Sequence, residues 1–210
     1  WCCTMRGGEG FSRAIEFSYL TSGDAIIIPF YNNSTACFVF GDGQITLRQE
    51  TGYPVKGQVR LEVINSDVES EKTIKLYVPS WADKSSIKVY VNGNVITFNT
   101  FEEGFVGIKT GLKKGTVIEL HFSICIRMEP TINENSIKGF HTIRHGALLL
   151  GLENKEQAIV AGKGIEDFEN LGDAHYKIRN TEYVLAPISG NLKTACKSLP
   201  DSRLQILFRD

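Results

Sequence analysis

Two adjacent cysteines, Cys2 and Cys3, stand near the start of this 210-residue sequence. Cysteine acts in chemistry as the thiolate, which is both a nucleophile and a metal ligand, so the pair is considered first. Immediate neighbours are poorly placed to form a disulfide with each other, and five cysteines are an odd number for a disulfide framework. From the residues alone, a thiol that packs as a small hydrophobic group is the favoured interpretation.

The histidines and carboxylates show no spacing that predicts a metal site or a pair of catalytic carboxylates. No two histidines have metal-ligand spacing, because even the pair that is four residues apart lies in strand-like sequence. The histidines are His121, His141, His145 and His175. No two carboxylates are spaced to flank a sugar, so charged turns are the default interpretation. The carboxylates considered are Glu50, Glu102, Glu103, Glu153 and Glu166.

Trp81 is a candidate sugar-binding residue. Together with Tyr31, Tyr53 and Phe105 it could form an aromatic platform on which a sugar ring stacks. However, Pro79-Ser-Trp81-Ala is typical of a strand end, where a large aromatic residue more often closes the end of a β-sandwich. The sequence leaves both interpretations open.

Charge and hydropathy exclude two classes of function. The 23 basic and 24 acidic residues are scattered along the chain and give a net charge of -1, so no basic surface for nucleic acid is expected. The longest apolar runs, such as Ala147 to Leu150, are far shorter than the roughly 20 residues needed to cross a bilayer. Because the sequence begins at Trp1, we expect a processed or trimmed form of the protein.

One helix is predicted, over Glu9 to Thr21. Its apolar residues recur at helical spacing, and Gly23 is placed to end it in a left-handed cap. Nothing downstream is typical of a second helix, so this helix is expected to pack on a partner outside the chain.

From Asp24 onward, short runs rich in β-branched and aromatic residues alternate with turn residues, which predicts an all-β fold of antiparallel sandwiches. Asn92-Gly93 between two such runs predicts a hairpin. A domain boundary is expected near Glu129-Pro130. The strands predicted before it are Ala25 to Tyr31, Ala36 to Phe40, Gln44 to Thr51, Gln58 to Ser66, Lys72 to Val78, Ile87 to Val91, Phe105 to Thr110 and Thr116 to Ile126. Those after it are His141 to Arg144, Ala147 to Leu152, Gln157 to Ala161, Tyr176 to Leu185 and Leu204 to Phe208.

The order of several short motifs resembles the C-terminal half of the β-L-arabinofuranosidase family, glycoside hydrolase family 127. The resemblance covers roughly residues 1 to 155, and it departs from the family in the loop Thr4 to Gly10 and within His145 to Glu153. Its motifs are Trp1-Cys-Cys3, Asp24-Ala-Ile-Ile-Ile-Pro-Phe-Tyr31, Gln49-Glu-Thr-Gly-Tyr-Pro-Val-Lys-Gly-Gln-Val59, Leu76-Tyr-Val-Pro-Ser-Trp-Ala82, Val89-Tyr-Val-Asn-Gly93, Lys114-Gly-Thr116 before a strand ending in Arg127, and His145-Gly-Ala-Leu-Leu-Leu-Gly-Leu-Glu153.

The resemblance implies an architecture and a chemistry. An α/α barrel would carry catalysis, residues 1–23 would be a remnant of it, and residues 24–128 and 129–210 would be two consecutive jelly-roll-like sandwiches. Cys2 would be nucleophile and zinc ligand in the parent protein, and Cys3 a second zinc ligand. The acid/base and the remaining ligands would belong to the barrel, so this chain alone is expected to hold no zinc.

Three hypotheses follow. The leading one is a non-catalytic region that supports the barrel of a bacterial glycosidase, in the cytoplasm or periplasm, and takes part in a homodimer. The second is a carbohydrate-binding module for plant-type glycans, which Trp81 motivates. The third is a self-sufficient hydrolase, which rests on Cys2 alone and lacks an acid/base partner of suitable spacing.

Overall fold

The computed structural model describes residues 2–98, 100–130, 139–152, 159–188 and 207–209, with the side chains of residues 2–5, 11, 159–161 and 207–209 left out of the description. The chain divides into two compact units, residues 1–123 and 124–210. Strands dominate both units, which confirms the predicted all-β class. No helix in the described residues is long and apolar enough to cross a membrane.

Helix α1 spans Cys2–Glu16, so it begins and ends earlier than the predicted Glu9 to Thr21. The prediction was wrong at the C-terminal end because Leu20–Ser22 pairs with Ala25–Ile27 as a short hairpin. Gly23, with φ of +57°, lies in the turn of that hairpin instead of capping the helix. All described side chains of α1 are exposed to solvent.

The first unit contains two sheets that each bury one face. Their strands are β1 (Leu20–Ser22), β2 (Ala25–Ile28), β3 (Ser34–Phe40), β4 (Gly43–Thr51), β5 (Gln58–Ser66), β6 (Lys72–Tyr77), β7 (Lys88–Val91), β8 (Asn94–Ile96), β9 (Thr100–Glu102), β10 (Phe105–Thr110) and β11 (Val117–His121). One sheet has the strand order β1-β2-β6-β10-β9, and the other has the order β3-β4-β5-β11-β7-β8. Among these described strands, all pairings are antiparallel except that of β2 with β6.

Alternation along the strands builds the core between the two sheets. In β6 and β5, every second residue is buried, as expected for strands with one face on a core. Contacts between side chains of the two sheets include the Lys72 ammonium, which lies 4.6 Å from the centre of the Phe40 ring. The most deeply buried apolar residues of this core include Ile26, Ile28, Ile45, Leu61, Ile74, Leu76, Ile108 and Leu120.

The predicted hairpin at Asn92-Gly93 is confirmed. Strands β7 and β8 pair around it, and the φ angles of +51° and +79° are both positive, as a type I′ turn requires. The predicted single strand Thr116 to Ile126 was wrong. The strand β11 ends at His121: Phe122 N–H still bonds to the Gly57 carbonyl in the register of the sheet, but Ser123 N–H bonds to the Ser86 hydroxyl instead.

The second unit forms an eight-stranded sheet in its described residues, with the order β15-β19-β13-β14-β18-β17-β16 and β12 also paired with β13. Its core includes Ile143, Leu152, Phe168, Tyr176 and Leu185. The strands are β12 (Ile126–Pro130), β13 (Phe140–His145), β14 (Leu148–Leu152), β15 (Ile159–Ala161), β16 (Phe168–Gly172), β17 (His175–Ile178), β18 (Val184–Pro187) and β19 (Leu207–Arg209).

Two features of the second unit differ from the prediction. Tyr176 to Leu185 is two strands, since Thr181 N–H bonds to the Ile178 carbonyl and turns the chain. Strand β16 lies in a segment for which the sequence predicted no strand. The units divide at 123/124, a few residues before the predicted limit of 128. The arrangement of residues 129–210 as a second sandwich stays a prediction.

Candidate functional site

Cys2 and Cys3 both lie in helix α1. Their side chains are outside the described residues, so the predicted nucleophile and zinc-ligand roles stay predictions. Zinc in proteins is usually held by four ligands, and two thiolates supply half of such a set. Within the part of the chain that the structure describes, no group of three or more His, Cys, Asp or Glu residues could hold a metal ion. These residues therefore fit a zinc site only in part.

Trp81 belongs to an aromatic cluster at one end of the first unit. Its ring centre lies 6.2 Å from that of buried Phe122 in an edge-to-face arrangement, and Phe122 in turn lies 6.3 Å from Tyr53. Tyr53 is 5.7 Å from Tyr31, again edge to face. The structure thus brings together three of the aromatic residues that the sequence singled out. Edge-to-face and tilted contacts of this kind are favourable arrangements of packed aromatic rings.

The fourth predicted residue joins this cluster through Tyr77. Phe105 lies 5.5 Å from the Tyr77 ring, and the Tyr31 hydroxyl donates a hydrogen bond to the Tyr77 carbonyl. Burial raises the pKa of Tyr31 well above its ordinary value, and burial also raises that of Tyr53. Phe122 and Tyr77 were missed by the sequence reasoning, although both stand next to the ends of recognisable strands. The sugar-stacking role of half-buried Trp81 stays a prediction.

A cleft of about 630 Å³ lies on the outer face of the sheet that contains β4, β5 and β11. We call it the β4–β5–β11 cleft and define it by Glu50, Thr51, Gln58, Arg60, Glu119 and His121. All of these except Thr51 occupy outward-facing positions on three adjacent strands. Arg60 is directly opposite Glu50 on one side and Glu119 on the other, and Gln58 is opposite His121.

Ion pairs fix one side of this cleft. The Arg60 guanidinium lies 2.8 Å from the Glu62 carboxylate and 3.4 Å from that of Glu50. Arg48 makes the same two contacts, at 2.8 Å to Glu62 and 3.4 Å to Glu50. The hydrogen bond that Arg60 donates to the Glu62 carboxylate raises the pKa of Arg60, and the hydrogen bonds that Arg60 and Arg48 donate lower the pKa of Glu62.

The other side of the cleft keeps its polar atoms open. Among the described residues, neither the Glu119 carboxylate nor the Gln58 side chain makes a hydrogen bond or an ion pair. The ring of His121 lies 5.0 Å from that of Tyr90 on the neighbouring strand. The sequence reasoning considered Glu50 and His121 separately. It missed their shared surface, because strand order decides which residues become neighbours.

Strand content and sheet order define the first unit as a β-domain of two sheets. Residues 25–124 match the model of the β-L-arabinofuranosidase family, GH127 middle domain. The resemblance stated from the sequence is therefore confirmed over this region.

Solved structures extend the likeness of the fold. A GH127 β-L-arabinofuranosidase from Geobacillus stearothermophilus T6 is 22% identical with a TM-score of 0.56, over 68% of this chain and 23% of that one. A chain described as a glycoside hydrolase gives 22% identity and a TM-score of 0.66, over 77% and 28%. A GH127 β-arabinofuranosidase gives 24% and 0.55, over 65% and 24%.

This chain thus spans about a quarter of the length of the structures it matches. The matched proteins are larger than the region they share with it. No match was found among curated protein sequences.

Proposed function

We propose that this chain is the non-catalytic β-sandwich region of a β-L-arabinofuranosidase-like glycoside hydrolase and that it supports a catalytic α/α barrel. The observation that carries the proposal is the family match of residues 25–124 to a middle domain, a part that lies beside other domains in larger proteins. A fold of this kind hosts many functions, so the proposal rests on this match and not on the sandwich itself.

Exposed apolar residues around α1 support a role in domain packing. Ile15 is 76% exposed, and Phe17, Leu20 and Phe30 are between 41% and 52% exposed. Large apolar side chains grouped on a surface mark a place where another surface packs. The proposed occupant is the barrel of the same parent protein, and a homodimer is the second arrangement that this surface would allow.

In that parent, Cys2 would be the nucleophile and a zinc ligand, and Cys3 would be a second ligand. Bound zinc would keep the thiols deprotonated at neutral pH. This chain's residues would contribute the two thiols from the first turn of α1. The proton donor to the leaving oxygen would come from the barrel.

Turnover and metal content of the purified chain test this proposal together. We expect no hydrolysis of an aryl β-L-arabinofuranoside and less than one zinc per chain by elemental analysis. Turnover that depends on Cys2, lost in Cys2→Ser, would contradict the non-catalytic assignment.

The packing surface has its own test. Because Ile15 is largely exposed, Ile15→Ser should leave the melting temperature of this chain unchanged, whereas Ile74→Ala in the core should lower it by several degrees. A loss of stability in Ile15→Ser would show that this residue packs within the chain and would remove it from the proposed surface.

A second candidate function is carbohydrate recognition, which the charged residues of the β4–β5–β11 cleft and half-buried Trp81 both favour. A titration with arabinose-, galactose- and xylose-based oligosaccharides, followed by tryptophan fluorescence, tests whether a sugar ring stacks on Trp81. A flat response across all three would count against stacking on Trp81.

A further inference from the structure

The β4–β5–β11 cleft combines a fixed side and an open side within one surface. On the fixed side, Glu50 and Glu62 hold the planar guanidinium of Arg60. On the open side, the carboxylate of Glu119 lies opposite Arg60 across the strand pair, and the amide of Gln58 lies opposite His121. Donors and acceptors therefore stand side by side at positions already ordered by the sheet.

Strand spacing sets the distance between these groups. Adjacent strands lie about 4.8 Å apart, so side chains at paired positions are neighbours along a row across the sheet. Arg60 and Glu119 are such a pair, and so are Gln58 and His121. Two neighbouring groups, one donor and one acceptor, can engage the two hydroxyls of a vicinal diol at the same time.

The charge of the cleft excludes other ligand classes. Glu50 and Glu119 outnumber Arg60 in the lining of the cleft, so a phosphate or nucleic acid would meet net repulsion. The carboxylates are paired with arginines or separated from one another, and no metal-binding group exists among the described residues.

We propose that the β4–β5–β11 cleft binds a short neutral saccharide, with Glu119 accepting from and Arg60 donating to neighbouring hydroxyls. Gln58 bonds a further hydroxyl, and His121, packed beside Tyr90, offers a ring against which the sugar rests. The cleft volume of about 630 Å³ accommodates one or two sugar rings. This inference rests on the second candidate function, carbohydrate recognition, and assigns the binding to the residues of the cleft instead of to Trp81.

The test is a titration of the full chain, labelled with ¹⁵N, with arabinobiose, galactobiose and xylobiose, while amide chemical shifts are recorded. We expect at least one of the three to shift the amides of residues 58–60 and 119–121. Glu119→Gln should weaken that binding at least about fivefold, since it removes the charge from one acceptor and keeps its shape. The matched control is Glu169→Gln, which alters an exposed carboxylate in the second unit and should bind as the unchanged protein does.

The outcomes separate the proposals. No shift with any of the three at about ten millimolar would overturn the cleft and leave the supporting role untouched. Binding that is lost in Trp81→Phe but kept in Glu119→Gln would overturn the cleft while supporting sugar recognition at the aromatic cluster. Tighter binding of trigalacturonate than of the neutral sugars would also overturn the proposal, because the cleft carries excess negative charge.

Discussion

At the residue scale, Tyr31 couples packing to ionisation. Its hydroxyl donates to the Tyr77 carbonyl while its ring packs on Tyr53, and burial raises its pKa well above the ordinary value of 10.0. A phenol with a raised pKa in the folded state keeps its proton where the unfolded chain has lost it. Its contribution to stability is therefore complete below pH 10 and is lost as the pH rises above that value.

Tyr31→Phe should accordingly have a pH-dependent effect. At pH 7 it removes one hydrogen bond and should cost about 1 kcal/mol. Above pH 10 the loss of stability should become shallower than in the unchanged protein, because one buried phenol no longer has to stay neutral. Urea unfolding at pH 7, 9 and 10.5 measures both effects, and an unaltered alkaline slope would contradict the assignment.

Lys72 is a second residue whose position has consequences. Its side chain is 1% exposed, and the ammonium lies 2.7 Å from the Asp42 carboxylate and 2.7 Å from the Ser70 hydroxyl. The hydrogen bond that the Lys72 ammonium donates to the Asp42 carboxylate raises the pKa of Lys72 and lowers that of Asp42. The pair thus stabilises the fold between the ordinary pKa values of its members, and this contribution is lost as the pH falls below 3.8.

Lys72→Met should lower the melting temperature at pH 7 by several degrees, since it removes the ion pair and the contact with the Phe40 ring. Lys75→Met on the same strand is the matched control, because Lys75 lies on the opposite, partly exposed face and should change little. Asp42→Asn should lower the melting temperature at pH 7 in the same way, and it should weaken the dependence of the melting temperature on pH in the acid range. Equal melting temperatures for the two lysine variants would contradict this role.

The sequence could not reveal the role of Lys72. The alternation in Lys72 to Val78 correctly assigns Ile74 and Leu76 to the core and puts Lys72 on that same inward side. A lysine at a strand start is ordinarily solvated, and its partner Asp42 is 30 residues away in the turn between β3 and β4. Contacts of this kind depend on which strands face each other, which a single sequence does not contain.

At the element scale, Gly57 marks the place where β5 begins against the end of β11. Its carbonyl accepts a hydrogen bond from Phe122 N–H at 2.8 Å. A Cβ added to Gly57 would lie 1.9 Å from the Phe122 carbonyl oxygen, which is backbone and cannot rotate away. Only a glycine fits this crossing.

Gly57→Ala should therefore destabilise the first unit by about 3 kcal/mol, at the upper end of the cost of overpacking. Gly111→Ala is the matched control, because nothing lies within 4 Å of its added Cβ, and it should be neutral. Urea midpoints compare the two. If Gly57→Ala yields no soluble protein while Gly111→Ala does, that difference gives the same ordering.

The sequence predicted correctly those elements whose conformation depends on neighbouring residues, but not those that depend on contacts with distant residues. The Asn92-Gly93 turn was predictable because its conformation depends on those two residues. The end of α1 and the break after His121 were not predictable, since each involves contacts with residues elsewhere, Ala25–Ile27 in the first case and Ser86 in the second. The β4–β5–β11 cleft fails to show in sequence for the same reason.

At the scale of the whole molecule, the division at 123/124 predicts that the first unit folds alone. A chain of residues 1–123 should unfold cooperatively and give amide resonances for β2 to β11 close to those of the full chain. A fragment with the dispersion of an unfolded chain would show that residues 124–210 are required for folding.

The single parallel pairing in the first unit has a kinetic consequence. Strands β3, β4 and β5 are joined by short connections and can form from local contacts. Strands β2 and β6, in contrast, are separated in the sequence by all three of those strands. Closing such a long loop lowers the conformational entropy of the chain before the stabilising contacts between β2 and β6 have formed. We expect the β3–β4–β5 meander to fold first, with β2 docking on β6 late, so that mutations in β2 speed unfolding more than they slow folding.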